Sequence, residues 1–207
     1  MKPLSAKPDG FTLVELLVVI SIITLLAGLT IAAMGGAQNS AARNRTKAEI
    51  SSLSVAIESY KIDNGDYPRD PTSAAATDKL DATQSTSADA LISSGKYMLS
   101  SVVLYQALSG DTSGNRSVGS TTDASGNTVK NKVYFPFKSG MLYPKGPMGS
   151  TTTVTALLDP FKNVYGYSTI YIATSGSSGY NPTFDLWSTA DHDQLGATPT
   201  AAWITNW

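Results

Sequence analysis

The stretch that decides the fold covers residues 11–34, with the sequence FTLVELLVVISIITLLAGLTIAAM. It contains one charged side chain, Glu15, and no proline. A helix of about 20 residues, at a rise of about 1.5 Å per residue, crosses the roughly 30 Å hydrocarbon core of a bilayer. The stretch therefore predicts a single membrane-spanning helix.

The residues around the start of this helix distinguish it from a plain anchor and from an ordinary signal peptide. The polar leader MKPLSAKPDG ends in Gly10, directly beside the apolar run. A secretory signal peptide instead has a shorter apolar region with its cleavage site after it. Glu15 lies one turn into the segment, where a carboxylate in lipid is costly and usually has a partner. The start of the helix therefore fits neither a plain anchor nor an ordinary signal peptide, and we expect a partner for Glu15.

Residues 10–15, GFTLVE, resemble the class III leader of type IV pilins and type II secretion pseudopilins. The resemblance implies that a prepilin peptidase cuts between Gly10 and Phe11 and methylates the new amino group of Phe11. Glu15 would then neutralise the Phe11 amine of a neighbouring subunit. At about 4 Å this attraction is roughly 4 kcal/mol before desolvation, which consumes most of it, so we expect the pair to set subunit register. An uncleaved anchor with an incidental Glu15 is the alternative.

Composition excludes several functional classes. The chain has 207 residues with 15 basic and 16 acidic side chains, so no basic excess indicates nucleic-acid binding. It has no cysteine, which excludes disulfides and thiolate metal sites. Lysines and arginines lie on both sides of the apolar run, so charge does not set its orientation. The resemblance implies a single-pass inner-membrane protein with a cytoplasmic N-terminus and a periplasmic globular domain.

The second half of the helix, residues 35–64, is predicted to be amphipathic. Apolar residues recur at three- and four-residue steps in Ile50, Leu53, Ile57 and Tyr60. Asn64 and Gly65 predict the helix end, and Pro68 follows. We therefore expect one helix over residues 11–63. Gly35 and Gly36 either loosen it when subunits pack or mark a helix end at the membrane surface.

The globular domain is predicted to cover residues 65–207, with an insertion near 70–130 that lacks the family resemblance. Residues 69–90 are polar and aperiodic, which favours a surface loop, and a helix is expected over about 100–108. The pattern Asp-x-Ser-Gly-Asn occurs at 111–115 and 123–127 and predicts two turns.

Strand patterns follow the insertion. They cover residues 133–135, 154–158, 170–172 and 183–188, with a turn at Asp159 and Pro160 before the third. On the last strand, Phe184 and Leu186 are expected to share one face and Asp185 and Trp187 the other. The fold class is therefore α+β, with a small antiparallel sheet packed on the amphipathic half of the long helix, and the resemblance implies a type IV pilin-like fold.

Four segments resemble the major pseudopilin of type II secretion systems. They are YKIDNGDYP at 60–68, DPFKNVYGY at 159–167, FDLWS at 184–188 and ITNW at 204–207. The resemblance implies a structural subunit of a periplasmic filament that supports protein secretion, extended by a cytoplasmic ATPase. Its implied partners are copies of itself, prepilin peptidase, minor pseudopilins and an inner-membrane assembly platform. The alternatives are a surface type IV pilin and an anchored periplasmic binding protein.

The resemblance also implies a calcium ion in the loop after Ser188. Asp191 and Asp193, with Ser188, are the candidate ligands. Calcium takes six to eight oxygen ligands, and residues 200–203, TAAW, lack the further aspartates of the family. Without calcium, the loop would be held by apolar packing of Trp187, Leu195, Trp203 and Trp207.

No constellation of residues predicts catalysis. His192 is the one histidine, and its acidic neighbours on a loop do not make a triad without a positioned nucleophile and an oxyanion hole. Nucleophile-elbow, P-loop and dinucleotide-binding motifs are missing from the sequence. We therefore expect a protein that is not an enzyme and that has no cofactor besides calcium.

Overall fold

A computed structural model describes residues 11–70, 76–82, 95–147, 152–190 and 202–207. The chain forms two compact units, Met1–Ala41 and Ala42–Trp207, and we call the second the head unit. The predicted divisions after residues 10, 34 and 64 stay predictions. Residues 1–10, which include Gly10, lie outside the described residues.

Helix α1, Leu13–Asn64, is 52 residues long and confirms the predicted continuous helix. Gly65 ends it with a φ of 84°, a left-handed conformation that glycine adopts without strain. The Gly65 N–H donates to the Lys61 carbonyl at 2.7 Å, and the Asn64 amide donates to the Tyr60 carbonyl at 2.9 Å. The predicted stop at Asn64 and Gly65 is therefore correct.

The predicted apolar stripe of α1 is buried within the head unit. Leu53 and Ile57 are fully buried, and Ile50 is nearly so. Tyr60 packs partly buried against the same core, whereas Val55 on the opposite side is 66% exposed. Burying a leucine or isoleucine side chain contributes about 1.5–3 kcal/mol, so this face holds the second half of the helix to the rest of the unit.

Two further helices follow, α2 at Lys96–Ser109 and α3 at Ile170–Ala173. Helix α2 ends at Gly110, as predicted, but begins four residues earlier than expected. The predicted strand at 170–172 is wrong because these residues form α3. The Ser168 hydroxyl accepts the Ile170 N–H, and the Thr174 N–H donates to the Ile170 carbonyl, so local hydrogen bonds override the β propensity of the segment.

The strands of the described residues are short and all their pairings are antiparallel. They are β1 (Ser120–Thr122), β2 (Thr128–Lys130), β3 (Leu142–Tyr143), β4 (Ala156–Leu157), β5 (Gly166–Ser168), β6 (Asp185–Ser188) and β7 (Ile204–Thr205). They pair as β1–β2, β3–β4 and β5–β6–β7. In the three-stranded sheet Tyr167 lies opposite Leu186, and Trp187 opposite Thr205. The predicted α+β class with small antiparallel sheets is confirmed.

One further strand prediction is wrong, and another is confirmed only in part. Residues 133–135 form no strand, because the N–H groups of Tyr134 and Phe135 both donate to the Leu108 carbonyl, at 2.8 and 3.0 Å. The predicted strand at 154–158 is reduced to β4 and a single bridge between Leu158 and Val164. The hairpin of β1 and β2 was not predicted, because its short Ser/Thr strands carry little apolar alternation.

Part of the predicted surface loop is buried. Thr77 and Leu80 are fully buried, and their carbonyls accept the Ser168 hydroxyl at 3.2 and 2.5 Å. The Thr169 N–H also donates to the Thr77 carbonyl, at 2.7 Å. Residues 76–82 are therefore a loop, as predicted, but its expected surface position is wrong for the buried residues, which contact the end of β5. Residues 71–75 and 83–90 lie outside the described residues.

The head unit contains two apolar clusters. The first surrounds the stripe of α1, and the second consists of Leu80, Ala82, Tyr97, Ala156, Leu158, Val164, Trp187 and Trp203. Strand β6 is buried on both faces. Leu186 on one predicted face belongs to the first cluster, and Trp187 on the other belongs to the second. The Trp187 indole N–H donates to the Tyr97 hydroxyl at 3.0 Å, which satisfies the polar atom of the largest buried side chain.

The two predicted Asp-x-Ser-Gly-Asn turns are present. The Asp111 carboxylate accepts the N–H groups of Ser113 and Gly114, at 3.1 and 2.8 Å. The Asp123 carboxylate accepts those of Ser125 and Asn127, at 2.9 and 2.8 Å. The second turn connects β1 to β2.

Candidate functional site

The start of α1 is closed by a reciprocal pair, Thr12 and Glu15. The Thr12 N–H and O–H groups both donate to Oε2 of Glu15, at 2.9 and 2.8 Å. The Glu15 N–H donates back to the Thr12 hydroxyl at 3.2 Å. This is a capping box, which satisfies donors that the first helical turn otherwise leaves unpaired. The Thr-x-x-Glu spacing predicts such a capping box, but the sequence analysis considered Glu15 only as the partner of the Phe11 amine in a neighbouring subunit.

The predicted processing site lies next to this capping box. Phe11 is 82% exposed and lies directly before Thr12, the first member of the capping box. Gly10, on the other side of the predicted cleaved bond, lies outside the described residues. The capping box itself is formed by Thr12 and Glu15, both of which lie on the helix side of the predicted cleaved bond.

The apolar half of α1 has the length and composition of a membrane-crossing helix over Leu13–Thr30, and it is the one such helix among the described residues. None of this stretch is buried within the protein. The hydroxyls of Ser21, Thr24 and Thr30 each donate to the carbonyl four residues earlier, at 2.7–3.1 Å. A hydrocarbon environment requires such internal pairing, because it offers no hydrogen-bond partner.

The helix exit, residues 60–68, is fixed by polar contacts on its own chain. The Lys61 ammonium donates to the Tyr67 hydroxyl at 3.0 Å, which raises the pKa of Lys61. The same hydroxyl donates to a carboxylate oxygen of Glu58 at 3.1 Å. Asp63 forms an ion pair with Lys132, which holds the exit to the segment that follows β2. These side chains hold the helix end in position.

Ser188, one predicted calcium ligand, makes two hydrogen bonds within the head unit, and its role as a ligand stays a prediction. Its hydroxyl donates to Oδ2 of Asp159 at 2.5 Å and accepts the Ala190 N–H at 2.9 Å. Ser188 and Asp159 are both almost completely buried. Asp191 and Asp193, the other two candidates, lie outside the described residues. Among the described residues, no group of three His, Cys, Asp or Glu side chains could hold a metal ion.

Sequence reasoning treated Asp159 only as a turn residue, but it joins the turn to the end of β6. Its Oδ1 atom accepts the N–H groups of Phe161 and Asn163, at 2.8 and 2.9 Å, while Oδ2 accepts the Ser188 hydroxyl. The Asn163 amide in turn donates to the Ala190 carbonyl at 2.6 Å. Burial raises the pKa of Asp159 to about 6, against the opposing effect of these three donors.

A second buried polar contact, also missed, ties α1 to the same region. The Tyr165 hydroxyl donates to Oε2 of Glu49 at 2.9 Å, and Arg45 pairs with Oε1 of Glu49 at 2.8 Å. Burial and the neighbouring Glu49 carboxylate raise the pKa of Tyr165 well above its usual range. The phenol therefore stays neutral and acts as a hydrogen-bond donor, not as an acid or nucleophile.

The N-terminal segment matches a known family model. Residues 6–31 match the prokaryotic N-terminal methylation motif, which includes Gly10, Phe11 and Glu15. The chain therefore carries a prepilin-type N-terminal segment, which includes the capped, apolar start of α1.

Similarity to curated proteins identifies the particular relatives. Over 62 residues the chain is 42% identical to type II secretion system core protein G of Pectobacterium carotovorum subsp. carotovorum, covering 30% of this chain and 40% of that protein. It is 40% identical over 62 residues to the Escherichia coli (strain K12) protein of the same name, covering 30% and 43%. For Vibrio cholerae serotype O1 the identity is 36% over 62 residues, covering 30% and 42%. The predicted resemblance to the major pseudopilin is thus confirmed for the N-terminal region.

The similarity is confined to part of each protein. The chain spans about two fifths of the length of these relatives. No solved structure matches the chain significantly. The similarity to known proteins therefore concerns the N-terminal region. The roles of residues in the rest of the head unit are inferred from its own contacts.

Proposed function

We propose that this chain is a structural subunit of a type II secretion pseudopilus, anchored in the inner membrane before it joins a periplasmic filament. The observation that carries the proposal is the N-terminal segment, which combines the methylation motif with identity to core protein G. The exposed apolar helix Leu13–Thr30 supports it, because such a surface needs either lipid or neighbouring helices around it.

The proposed mechanism begins at the bond between Gly10 and Phe11. Prepilin peptidase cuts there and methylates the amino group of Phe11, which becomes a cation at the end of an apolar helix. Among the described residues nothing donates to Oε1 of Glu15, since the capping box uses Oε2, so this oxygen is available to the Phe11 amine of a neighbouring subunit. The apolar helices then pack as the filament core, and added subunits push the filament outward.

The implied partners follow from this mechanism. They are further copies of the chain, prepilin peptidase, minor pseudopilins and an inner-membrane assembly platform, with the N-terminus cytoplasmic and the head unit periplasmic. No enzymatic role is proposed. The relatives are named as core proteins of a secretion system, and the hydrogen bonds of Tyr105 to Asp111 and of Tyr165 to Glu49 hold parts of the head unit together.

Intact mass and N-terminal sequencing of the full chain test the proposal. We expect a protein that starts at methylated Phe11 when the chain is extracted from cells with active prepilin peptidase, and one that starts at Met1 when that enzyme is inactivated. Gly10→Leu should block processing. Gly28→Ala is the matched control, since an added Cβ at Gly28 contacts nothing within 4 Å, and it should be processed normally.

A start at Met1 in the presence of active peptidase would refute the proposal. Processing at Phe11 followed by long surface fibres, with secretion unaffected when the chain is deleted, would refute the pseudopilus and leave the type IV pilus alternative.

We also propose a weak calcium site formed by Asp191, Asp193 and Ser188 with backbone carbonyls. The Ser188 hydroxyl donates to Asp159 and accepts the Ala190 N–H, which leaves one oxygen lone pair for the ion. What supports the two carboxylates is their position directly after the fixed end of β6. Calcium should raise the melting temperature of the chain and not that of Asp191→Asn with Asp193→Asn. Equal melting temperatures with and without calcium would exclude the site.

A further inference from the structure

An apolar groove lies beside strands β3 and β4, away from the predicted sites. It has a volume of about 490 Å³, within the usual range of roughly 300–1,000 Å³ for ligand sites. The side chains that concern its chemistry are Tyr143, Lys145, Ala156, Leu158, Lys162 and Val164.

The floor of the groove is preformed. Ala156, Leu158 and Val164 belong to the second core cluster together with the completely buried Trp187, and each of the three is at most 9% exposed. Leu158 and Val164 are joined by an antiparallel bridge, and Tyr143 is 45% exposed beside them. An apolar ligand would therefore meet a packed surface and would not need the core to rearrange.

The rim of the groove is positively charged. Lys145 and Lys162 are both exposed, and neither forms an ion pair with an acidic side chain in the described part of the chain. A lysine ammonium is a compact point charge on a flexible apolar stem, which can cover an apolar surface and still reach a carboxylate or phosphate. The groove thus combines an apolar floor with two cations that complement an anion.

We propose that this groove binds a single-chain lipid with an anionic head, with the acyl chain on the apolar floor and the head between Lys145 and Lys162. Charge complementarity selects the anionic head. A lipid is favoured over a peptide because the chain carries a helix suited to a membrane, which brings the protein to a surface rich in such molecules. The inference does not depend on assembly into a filament.

The test uses the full chain in phosphatidylcholine nanodiscs with a photoactivatable fatty acid as the probe. After illumination, labelled peptides are mapped by mass spectrometry. We expect labelling of peptides that contain Tyr143 and Leu158, in addition to α1. Laurate and lysophosphatidylglycerol should both compete if head charge is what matters, whereas competition by one of them alone identifies a carboxylate or a phosphate head as the natural ligand class. Dodecanol, which has no charge, should not compete.

Variants separate the groove from unspecific membrane contact. Lys145→Gln with Lys162→Gln should weaken groove labelling roughly three- to tenfold, since an exposed ion pair contributes modestly. Lys47→Gln with Lys130→Gln is the matched control, because both lysines are exposed and lie outside the groove, and it should label as the natural chain does.

Three results would overturn the proposal. They are labelling of the folded chain confined to residues 11–34, competition by dodecanol equal to that by laurate, and displacement of the probe by an acidic peptide as effective as displacement by laurate. The last result would mean that the groove binds a protein segment instead of a lipid.

Discussion

Asp159 offers the sharpest test of the head unit, because a single carboxyl group holds the turn after β4 to the end of β6. Burial raises its pKa to about 6 from an ordinary value of 3.8. A shift of about two pH units corresponds to roughly 3 kcal/mol at about 1.4 kcal/mol per unit. The folded state therefore prefers the protonated carboxyl group. This contribution to the free energy of unfolding is fully present below pH 3.8 and is lost as the pH rises through about 6.

The perturbation is Asp159→Asn, which keeps the size of the side chain and removes its titration. We expect the free energy of unfolding of the natural chain to fall by up to about 3 kcal/mol between about pH 4 and about pH 7.5, and that of the variant to fall clearly less. Asp185, whose pKa burial also raises, supplies the slope that remains. Asp123 is the matched control, since backbone hydrogen bonds lower its pKa and it titrates below this range.

Urea unfolding of the full chain in detergent micelles, followed by tryptophan fluorescence, measures this difference. All three tryptophans lie in the head unit, so the signal reports that unit. Asp123→Asn should keep the pH dependence of the natural chain. An identical pH dependence in Asp159→Asn and the natural chain would show that the buried carboxyl group is not the source, and the reasoning from its burial would be wrong.

Two further predictions concern packing. Gly166→Ala should destabilise the head unit by about 1–3 kcal/mol or more, because the added Cβ would lie 2.1 Å from the Trp187 ring, and Gly140→Ala, with nothing within 4 Å, should be nearly neutral in the same urea titration. Leu53→Ala should cost about 2–5 kcal/mol, whereas Val55→Ala, on the exposed side of α1, should change the unfolding free energy by less than about 0.5 kcal/mol. Equal effects within either pair would contradict the packing described above.

The sequence predicted the parts of the fold that local signals determine. The uninterrupted apolar run, the stripe around Leu53 and the stop at Gly65 correctly placed α1. The two Asp-x-Ser-Gly-Asn turns and the end of α2 at Gly110 were predicted correctly for the same reason. Hydrogen bonds of aspartate side chains and the backbone dihedrals of glycine act within a few residues.

The failures arise where contacts distant in sequence decide the structure. Residues 76–82 look like a polar loop, yet the Ser168 hydroxyl and Thr169 N–H, about 90 positions later, bind their carbonyls. The apolar segment 170–172 is an exception, because local hydrogen bonds decide it: the Ser168 hydroxyl accepts the Ile170 N–H, and the Thr174 N–H donates to the Ile170 carbonyl, which closes the segment into a short helix.

The same limit applies to the candidate site. The processing motif is local and was found, whereas the contact of Ser188 with Asp159 spans 29 residues and was not.

The hydroxyls of Ser21, Thr24 and Thr30 bond to carbonyls of their own helix, and this has a thermodynamic consequence. Exchanging lipid for protein around Leu13–Thr30 breaks no hydrogen bond of those side chains, so the exchange resembles transfer between two apolar solvents. Its free energy then depends on dispersion and on how closely neighbouring helices fit, quantities that discriminate weakly between partners. In the proposed filament, selection of the correct neighbour would therefore come from the two ends of this segment, from Glu15 on one side and the head unit on the other.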